Sequence, residues 1–257
     1  MTYNIRFDNP ADEGTKISWS ARRDRVASVI RFHHPAVFGI QEGLLHQVMD
    51  LEDRLDGYEW VGVGRKSGGD EYSAIFYRTQ RVELLAHDTF WLSTTPNEPG
   101  SKSWDASLPR IATWVRVRDR TTGDTLLVVN THFDHESREA RTKSARLIAQ
   151  AVPGLAPDVP AAVMGDLNAE PDAPAIEALR GPDAPGTLRD AITVSETPHH
   201  GPTSTFNHFN PTVLPERRID YIFVSADVRV LRHGHLGTRW DGQFPSDHLP
   251  VVVDLLL

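Results

Sequence analysis

Ala161-Ala162-Val163-Met164-Gly165-Asp166-Leu167-Asn168 is the stretch on which the fold class turns. Its first four residues read as a short buried strand, and polar side chains follow at once. Asp166 and Asn168 lie two apart, so an extended backbone turns both to the same side. Gly-Asp and Asn are also ordinary turn residues. Val163, Met164 and Leu167 around them argue against a plain exposed turn.

The same arrangement recurs outward from this point. Gln41-Glu42 closes the apolar run Ala36 to Ile40, Asn130-Thr131-His132 sits in the run Thr125 to Phe133, and Ser246-Asp247-His248 leads into Leu249 to Leu256. Helical spacing appears at Val26, Val29, Ile30 and His33, where Pro35 stops it, again at Leu44, Val48, Leu51 and Leu55, and at Ala140, Ser144, Leu147, Ile148 and Ala151. Further strands are expected at Met1 to Phe7, Tyr58 to Val63, Ser73 to Arg78, Arg81 to Leu92, Ile111 to Arg118, Arg218 to Val224 and Val228 to Leu236. Turn signals stand at Ser67-Gly68-Gly69-Asp70 and Thr122-Gly123-Asp124, and the runs around them read as consecutive antiparallel pairs. Such a mixed set predicts an α/β fold of two packed mixed sheets with helices outside, because each sheet needs both faces covered.

With 257 residues and no repeat or low-complexity linker, the chain reads as one domain, 1–257. The Pro/Gly-rich stretches Pro96 to Pro109 and Gly181 to Pro215 carry Trp104, Phe206 and Phe209, so they read as structured loops. The absence of Cys rules out disulfides and thiolate chemistry. No apolar run approaches membrane-spanning length, and Met1 to Phe7 lacks the regions of a signal peptide, so the reading leans to the cytoplasm. The net charge is −8, and only Lys16, Lys66, Lys102 and Lys143 among the 27 basic residues are Lys. No basic stripe for long duplex nucleic acid is visible. Arg22, Arg23 and Arg25 read as a solvated helix face.

Met1-Thr2-Tyr3-Asn4-Ile5-Arg6, Gln41-Glu42, Asn130-Thr131-His132, Gly165-Asp166-Leu167-Asn168, Arg218-Ile219-Asp220-Tyr221 and Ser246-Asp247-His248 resemble, in this order, the signatures of the endonuclease/exonuclease/phosphatase superfamily. The resemblance spans the chain. Phe90-Trp91-Leu92-Ser93 with Thr131-His132-Phe133-Asp134-His135 is similar to a bacterial subgroup. It implies the deoxyribonuclease I-like four-layer sandwich and a metal-dependent hydrolase of phosphomonoesters or phosphodiesters. The acidic composition favours a phosphorylated small molecule, nucleotide or lipid headgroup as substrate. A nuclease of the same superfamily is the alternative, and a non-catalytic binding module the third reading. Oligomeric state is left open.

Phosphate oxygens repel nucleophiles, so such a hydrolase needs a cation against them and a positioned water. Mg2+, with Mn2+ as a substitute, suits hard oxygen ligands. Glu42 is the expected first ligand, with Asn4 and Asp247 beside it. By resemblance, Asp166 orients or deprotonates the nucleophile, Asn168 holds the phosphate or water, and His132 stabilises the phosphate or protonates the leaving oxygen. Asp220 is the expected carboxylate partner of His248. Whether Asp166 or His248 is the base is left open. Arg110 is the candidate guanidinium for two phosphate oxygens. Tyr77 either donates to the phosphate or packs as a half-buried strand aromatic, and His135 and Arg141 either shape substrate choice or cap the following helix. Arg6 departs from the acid that repair relatives often carry there.

Overall fold

A computed structural model describes residues 1–66, 69–181, 188–210, 212 and 216–257. In chain order it contains β1 (Thr2–Asn4), α1 (Trp19–His33), β2 (Val37–Gln41), α2 (Leu45–Glu52), β3 (Tyr58–Val61), β4 (Gly64–Lys66), β5 (Gly69–Tyr72), β6 (Ile75–Arg78), β7 (Val82–Trp91), β8 (Ile111–Asp119), β9 (Thr125–His132), α3 (Arg138–Leu155), β10 (Ala161–Asp166), α4 (Pro174–Arg180), β11 (Arg189–Asp190), α5 (Ala191–Val194), β12 (Asp220–Val224), β13 (Arg229–His235) and β14 (Val251–Leu256). The turn read at Ser67-Gly68, and parts of the loop read over 181–215, lie outside the described residues.

The strands build two six-stranded sheets, ordered β13-β14-β1-β2-β6-β3 and β11-β12-β10-β9-β8-β7, with β4-β5 a separate hairpin. Alternation along each strand divides the apolar residues among three layers. Val163 and Val129 face outward against Ala145, Ile148 and Ile176 of α3 and α4. Phe38 and Ile40 face Val26, Ile30 and Leu51 of α1 and α2. Ile75, Val115, Val128, Met164 and Ile222 fill the space between the sheets. The result is the expected four-layer α/β sandwich. Among the described residues no helix is long and apolar enough to cross a membrane.

Three expectations need correction. β1 ends at Asn4, because Arg6 takes a left-handed backbone, φ 53°. The runs on either side of Thr79 do not pair: β6 belongs to the first sheet and β7 to the second, so the chain crosses the sandwich there. Arg22 is buried rather than solvated, since it lies on the apolar stripe with Trp19, Val26 and Val29. Its guanidinium donates to the carbonyls of Ile5 and Arg6, lacing the segment after β1 to the helix.

Parallel pairing brings the functional strand ends together. β1 and β2 pair with Asn4 opposite Gln41, and β9 and β10 with His132 opposite Asp166. Gln41 and Asn130 bolt the sheets together. Gln41 Nε2 donates to Asn130 Oδ1 at 2.6 Å, and Asn130 Nδ2 donates to the carbonyls of Ile40 and Ala74 at 2.8 and 3.0 Å. A Cβ on Gly39 would lie 2.4 Å from Asn130 Cγ, so this crossing admits only glycine.

Candidate active site

The C-terminal ends of the central strands open into a cleft of about 490 Å³, within the usual range for a small-molecule site. Asn4 spans the seam at its floor: Nδ2 donates to Glu42 Oε1 at 2.9 Å and to Asp166 Oδ2 at 3.0 Å. One carboxylate comes from each sheet, so a single amide sets their spacing. Glu42 Oε2 also accepts the Phe7 N–H at 3.1 Å. Glu42 and Asn168 both take left-handed backbones, φ 64° and 46°, which turn their side chains off the strand direction. Gly165 permits the bend before Asp166: its φ is 146°, and a Cβ there would stand 1.9 Å from the Thr131 carbonyl oxygen.

Asp166 and Asp220 face each other in antiparallel register across β10 and β12. His248 completes the group. Its Nδ1 lies 2.9 Å from Asp220 Oδ2, and its Nε2 points toward Asp166 Oδ2 at 3.7 Å. All three are buried. Burial opposes charge on the imidazole, but Asp220 and Asp166 outweigh it and push His248 above its ordinary value. Burial, with the Asp220 charge added, pushes Asp166 up as well. The proton therefore belongs to the group as a unit.

His132 closes the opposite side. Its Nε2 lies 3.0 Å from Asn168 Nδ2 and 3.4 Å from Asp166 Oδ2. Burial first, then the Arg110 and Arg65 guanidiniums, holds the imidazole well below its ordinary value. Its buried Nδ1 has no hydrogen-bond partner among the described residues and stands 4.0 Å from Glu71 Oε2. Glu71, in turn, is raised to about 7 by burial and by Glu42.

Arg110 is buried at the cleft wall and bonds His135 Nδ1 at 2.9 Å; His135 is on the rim. Tyr77 and Arg141 take the packing side of their two-way readings, and Asp247 and Asn4 have partners within the protein. Tyr77 lies opposite Val37, at the far end of β2 from the cleft, and its hydroxyl donates to Glu59 at 2.6 Å. Arg141 does not line the cleft; it donates to the Asp134 carbonyl at 2.9 Å. Asp247 lines it but is ion-paired with Arg6 at 2.9 Å. Asn4 turns its amide N–H groups, not its oxygen, to the carboxylates, because Oδ1 accepts the Arg6 N–H.

Sequence reasoning missed Arg65, Glu71, Phe206 and Arg217, all of which line the cleft. Arg65 and Glu71 flank the β4-β5 turn and bond each other at 2.8 Å. Their alternation around the Gly-Gly signal was the available clue. Arg217 stands with its guanidinium 5.1 Å from the Phe206 ring centroid.

Glu42, His132 and Asp166 each offer a ligand atom, all within 4.8 Å of one another. Two hard carboxylates from different sheets, with room above them for water and substrate oxygens, fit a divalent cation. A sandwich whose two sheets bring carboxylate, amide and imidazole groups to one such corner defines the class of deoxyribonuclease I-like phosphate-ester hydrolases. Residues 1–248 match the Endonuclease/Exonuclease/phosphatase family, and the chain belongs to it. It is similar to the endonuclease/exonuclease/phosphatase of Bacteroides vulgatus, at 37% identity over 100% of this chain and 97% of that one, TM-score 0.93. A mannosyl-6-phosphatase of Bacteroides thetaiotaomicron shows 37% identity over 100% and 98% of the two chains, TM-score 0.92. Nocturnin of Drosophila melanogaster is 24% identical over 65% of this chain, which spans only 27% of that protein.

Proposed function

We propose that residues 1–257 act as one catalytic domain, a divalent-cation-dependent phosphatase for a small phosphomonoester of the sugar-phosphate class. The observation that carries this reading is the Asp166-Asp220-His248 group beside Glu42 at the floor of an arginine-walled cleft. Its likeness over nearly full length to a mannosyl-6-phosphatase supports the substrate class.

Mg2+, or Mn2+ in its place, would be held by Glu42 and Asp166 and would neutralise phosphate oxygens. Asp166 holds the attacking water and takes its proton, beside the His248 imidazolium that Asp220 stabilises. The water oxygen forms a bond to phosphorus while the ester P–O bond breaks. Asn168 and the neutral His132 hold the transferring phosphoryl group, and the departing alkoxide takes its proton from solvent water. Arg110 and Arg217 are the expected anion contacts, with His135 on the rim for the sugar. Asp247 serves as counter-ion to Arg6, which gives the corner a cation where an acid was a conceivable second ligand.

The test is a direct competition under one metal and salt condition. A hexose 6-phosphate should turn over faster than internal linkages of long duplex DNA, and duplex binding should be weak at physiological salt. Efficient internal cleavage with a steep salt dependence would transfer the assignment to a nuclease.

A further inference from the structure

Three imidazoles outside the cleft meet at the edge of the first sheet. His233 and His235 lie two apart on β13 and so share one side of that edge strand. His199, on the loop after α5, packs against both, with ring centroids 5.0 and 4.5 Å away. The loop is sewn to the strand by its backbone: the His200 N–H donates to the His233 carbonyl at 3.0 Å, and the His235 N–H to the His200 carbonyl at 2.9 Å. The meeting is therefore built into the fold rather than left to side-chain rotamers.

One carbonyl fixes two of the three tautomers. Pro202 O accepts from His235 Nδ1 at 2.7 Å and from His199 Nε2 at 3.1 Å. Both rings must donate there, which leaves His235 Nε2 and His199 Nδ1 as lone pairs, the first unpartnered among the described residues and the second accepting from His233 Nδ1. His235 is 1% exposed, and its Nε2 is buried with no hydrogen-bond partner among the described residues. A buried polar nitrogen left in this way is costly and calls for an occupant. His233 Nδ1 lies 2.9 Å from His199 Nδ1. Burial, reinforced by neighbouring imidazoles, pushes His233 and His235 down to about 3, so both are neutral at physiological pH.

We propose that His199, His233 and His235 form a zinc site, with Zn2+ on His235 Nε2, His199 Nδ1 and one nitrogen of His233. One ligand atom from each ring already lies within 4.8 Å of the others. Tetrahedral zinc with Zn–N bonds of about 2.0–2.1 Å sets its donors roughly 3.3–3.4 Å apart, so small ring rotations would draw the wider atoms in and part the 2.9 Å pair of His199 Nδ1 and His233 Nδ1. Pro202 O plays the part that a backbone carbonyl has behind many metal-ligating histidines, fixing ring orientation through the other nitrogen. An all-imidazole set selects zinc over the oxygen-seeking Mg2+ of the cleft. Half-buried His199 gives the ion its path in and leaves a fourth position for water. The ion would staple the loop over an edge strand whose neighbour, β14, follows directly on His248, Leu249 and Pro250. Its role is structural.

The test uses the full chain without an affinity tag, stripped with chelator and titrated with Zn2+, with Co2+ as an absorbing probe. Two variants keep the bond to Pro202 and delete only a ligand atom. In His235→Asn the amide N–H replaces Nδ1–H, and in His199→Gln it replaces Nε2–H. Wild type should bind one Zn2+ at this site, show tetrahedral Co2+ absorption and gain several degrees in Tm with zinc. Each variant should lose at least about 10–100-fold in zinc affinity, together with the Co2+ band and the Tm gain. Glu42→Gln should keep all three. Zinc binding that survives both ligand variants, or that only Glu42→Gln abolishes, would overturn the site, as would wild type without zinc affinity. If His235→Asn fails to fold, His199→Gln, on the half-buried loop, decides the question.

Discussion

Replacing Asp220 by Asn is the most informative single change, because it keeps the shape of the side chain and removes only its charge. The backbone should stay in place: Thr205 Oγ1 accepts the N–H groups of Ile219 and Asp220 at 3.0 and 3.1 Å. Two effects then follow from the geometry. The new amide cannot balance an imidazolium 2.9 Å away, so His248 loses the positive charge that it holds toward Asp166. Asp166 also loses the facing negative charge that raises its pKa. Loss of acid/base function commonly costs about 10² to 10⁴ in rate, or about 2.7–5.4 kcal/mol of activation free energy, so kcat for Asp220→Asn should fall by about 10² to 10⁴ with KM nearly unchanged. Phosphate release at saturating Mg2+, measured from pH 5 to about 10, reads the effect, and circular dichroism checks the fold. A folded variant with wild-type kcat and an unaltered pH profile would refute the coupling of Asp220 to His248.

Glu42→Gln should weaken Mg2+ activation by about 10–100-fold while the fold persists, and chelator should abolish wild-type turnover; full activity in chelated protein would count against a cation at Glu42. Arg217→Ala should raise KM by about 10-fold and alter kcat little, given that a hydrogen bond to a charged group contributes about 1.5–3 kcal/mol; an equal fall in kcat at constant KM would place Arg217 outside substrate binding. Acid should destabilise the zinc-free protein through His233 and His235. Their pKa values drop to about 3 on folding, so between roughly pH 6.5 and 3 the unfolded chain binds more protons and stability falls as pH falls. Each would contribute a slope of about 1.4 kcal/mol per pH unit well inside that window; a chelated protein whose urea midpoint is flat from pH 6 to about 4 would show that neither is held neutral.

The legible part of this molecule was what local pattern determines. Alternation located most strands to within a few residues, and the polar residues at their ends were readable because a strand end is where a buried sheet must meet solvent. His248 and Asp220 were paired from the sequence, and the structure joins them at 2.9 Å. What escaped was set by non-local geometry. Tyr77 looked available because nothing in Ile75-Phe76-Tyr77 says which end of β6 faces the cleft; antiparallel pairing with β2 sends it to the wrong end. Arg22 looked solvated because charge outweighed stripe position, although carbonyls of the segment after β1 wait beneath it. Glu71 and Arg65 were hidden in a hairpin too short to give a strand signal.

The polar seam explains why site and fold are hard to separate here. Hydrophobic packing between the sheets is tolerant of small slips, since apolar contacts have little direction. Gln41 and Asn130 remove that tolerance, because each must meet a fixed partner across the seam or lose a buried hydrogen bond. Asn4 applies the same restriction one step nearer the cleft, where its two N–H bonds hold Glu42 of one sheet and Asp166 of the other at a single separation. A relative sheet displacement on the order of 1 Å along these bonds would stretch both, 2.9 and 3.0 Å long, beyond ordinary hydrogen-bond range. The amide ladder from Asn130 through Gln41 to Asn4 is therefore the means by which a slippery apolar interface holds two carboxylates at the spacing that a cation and a water require.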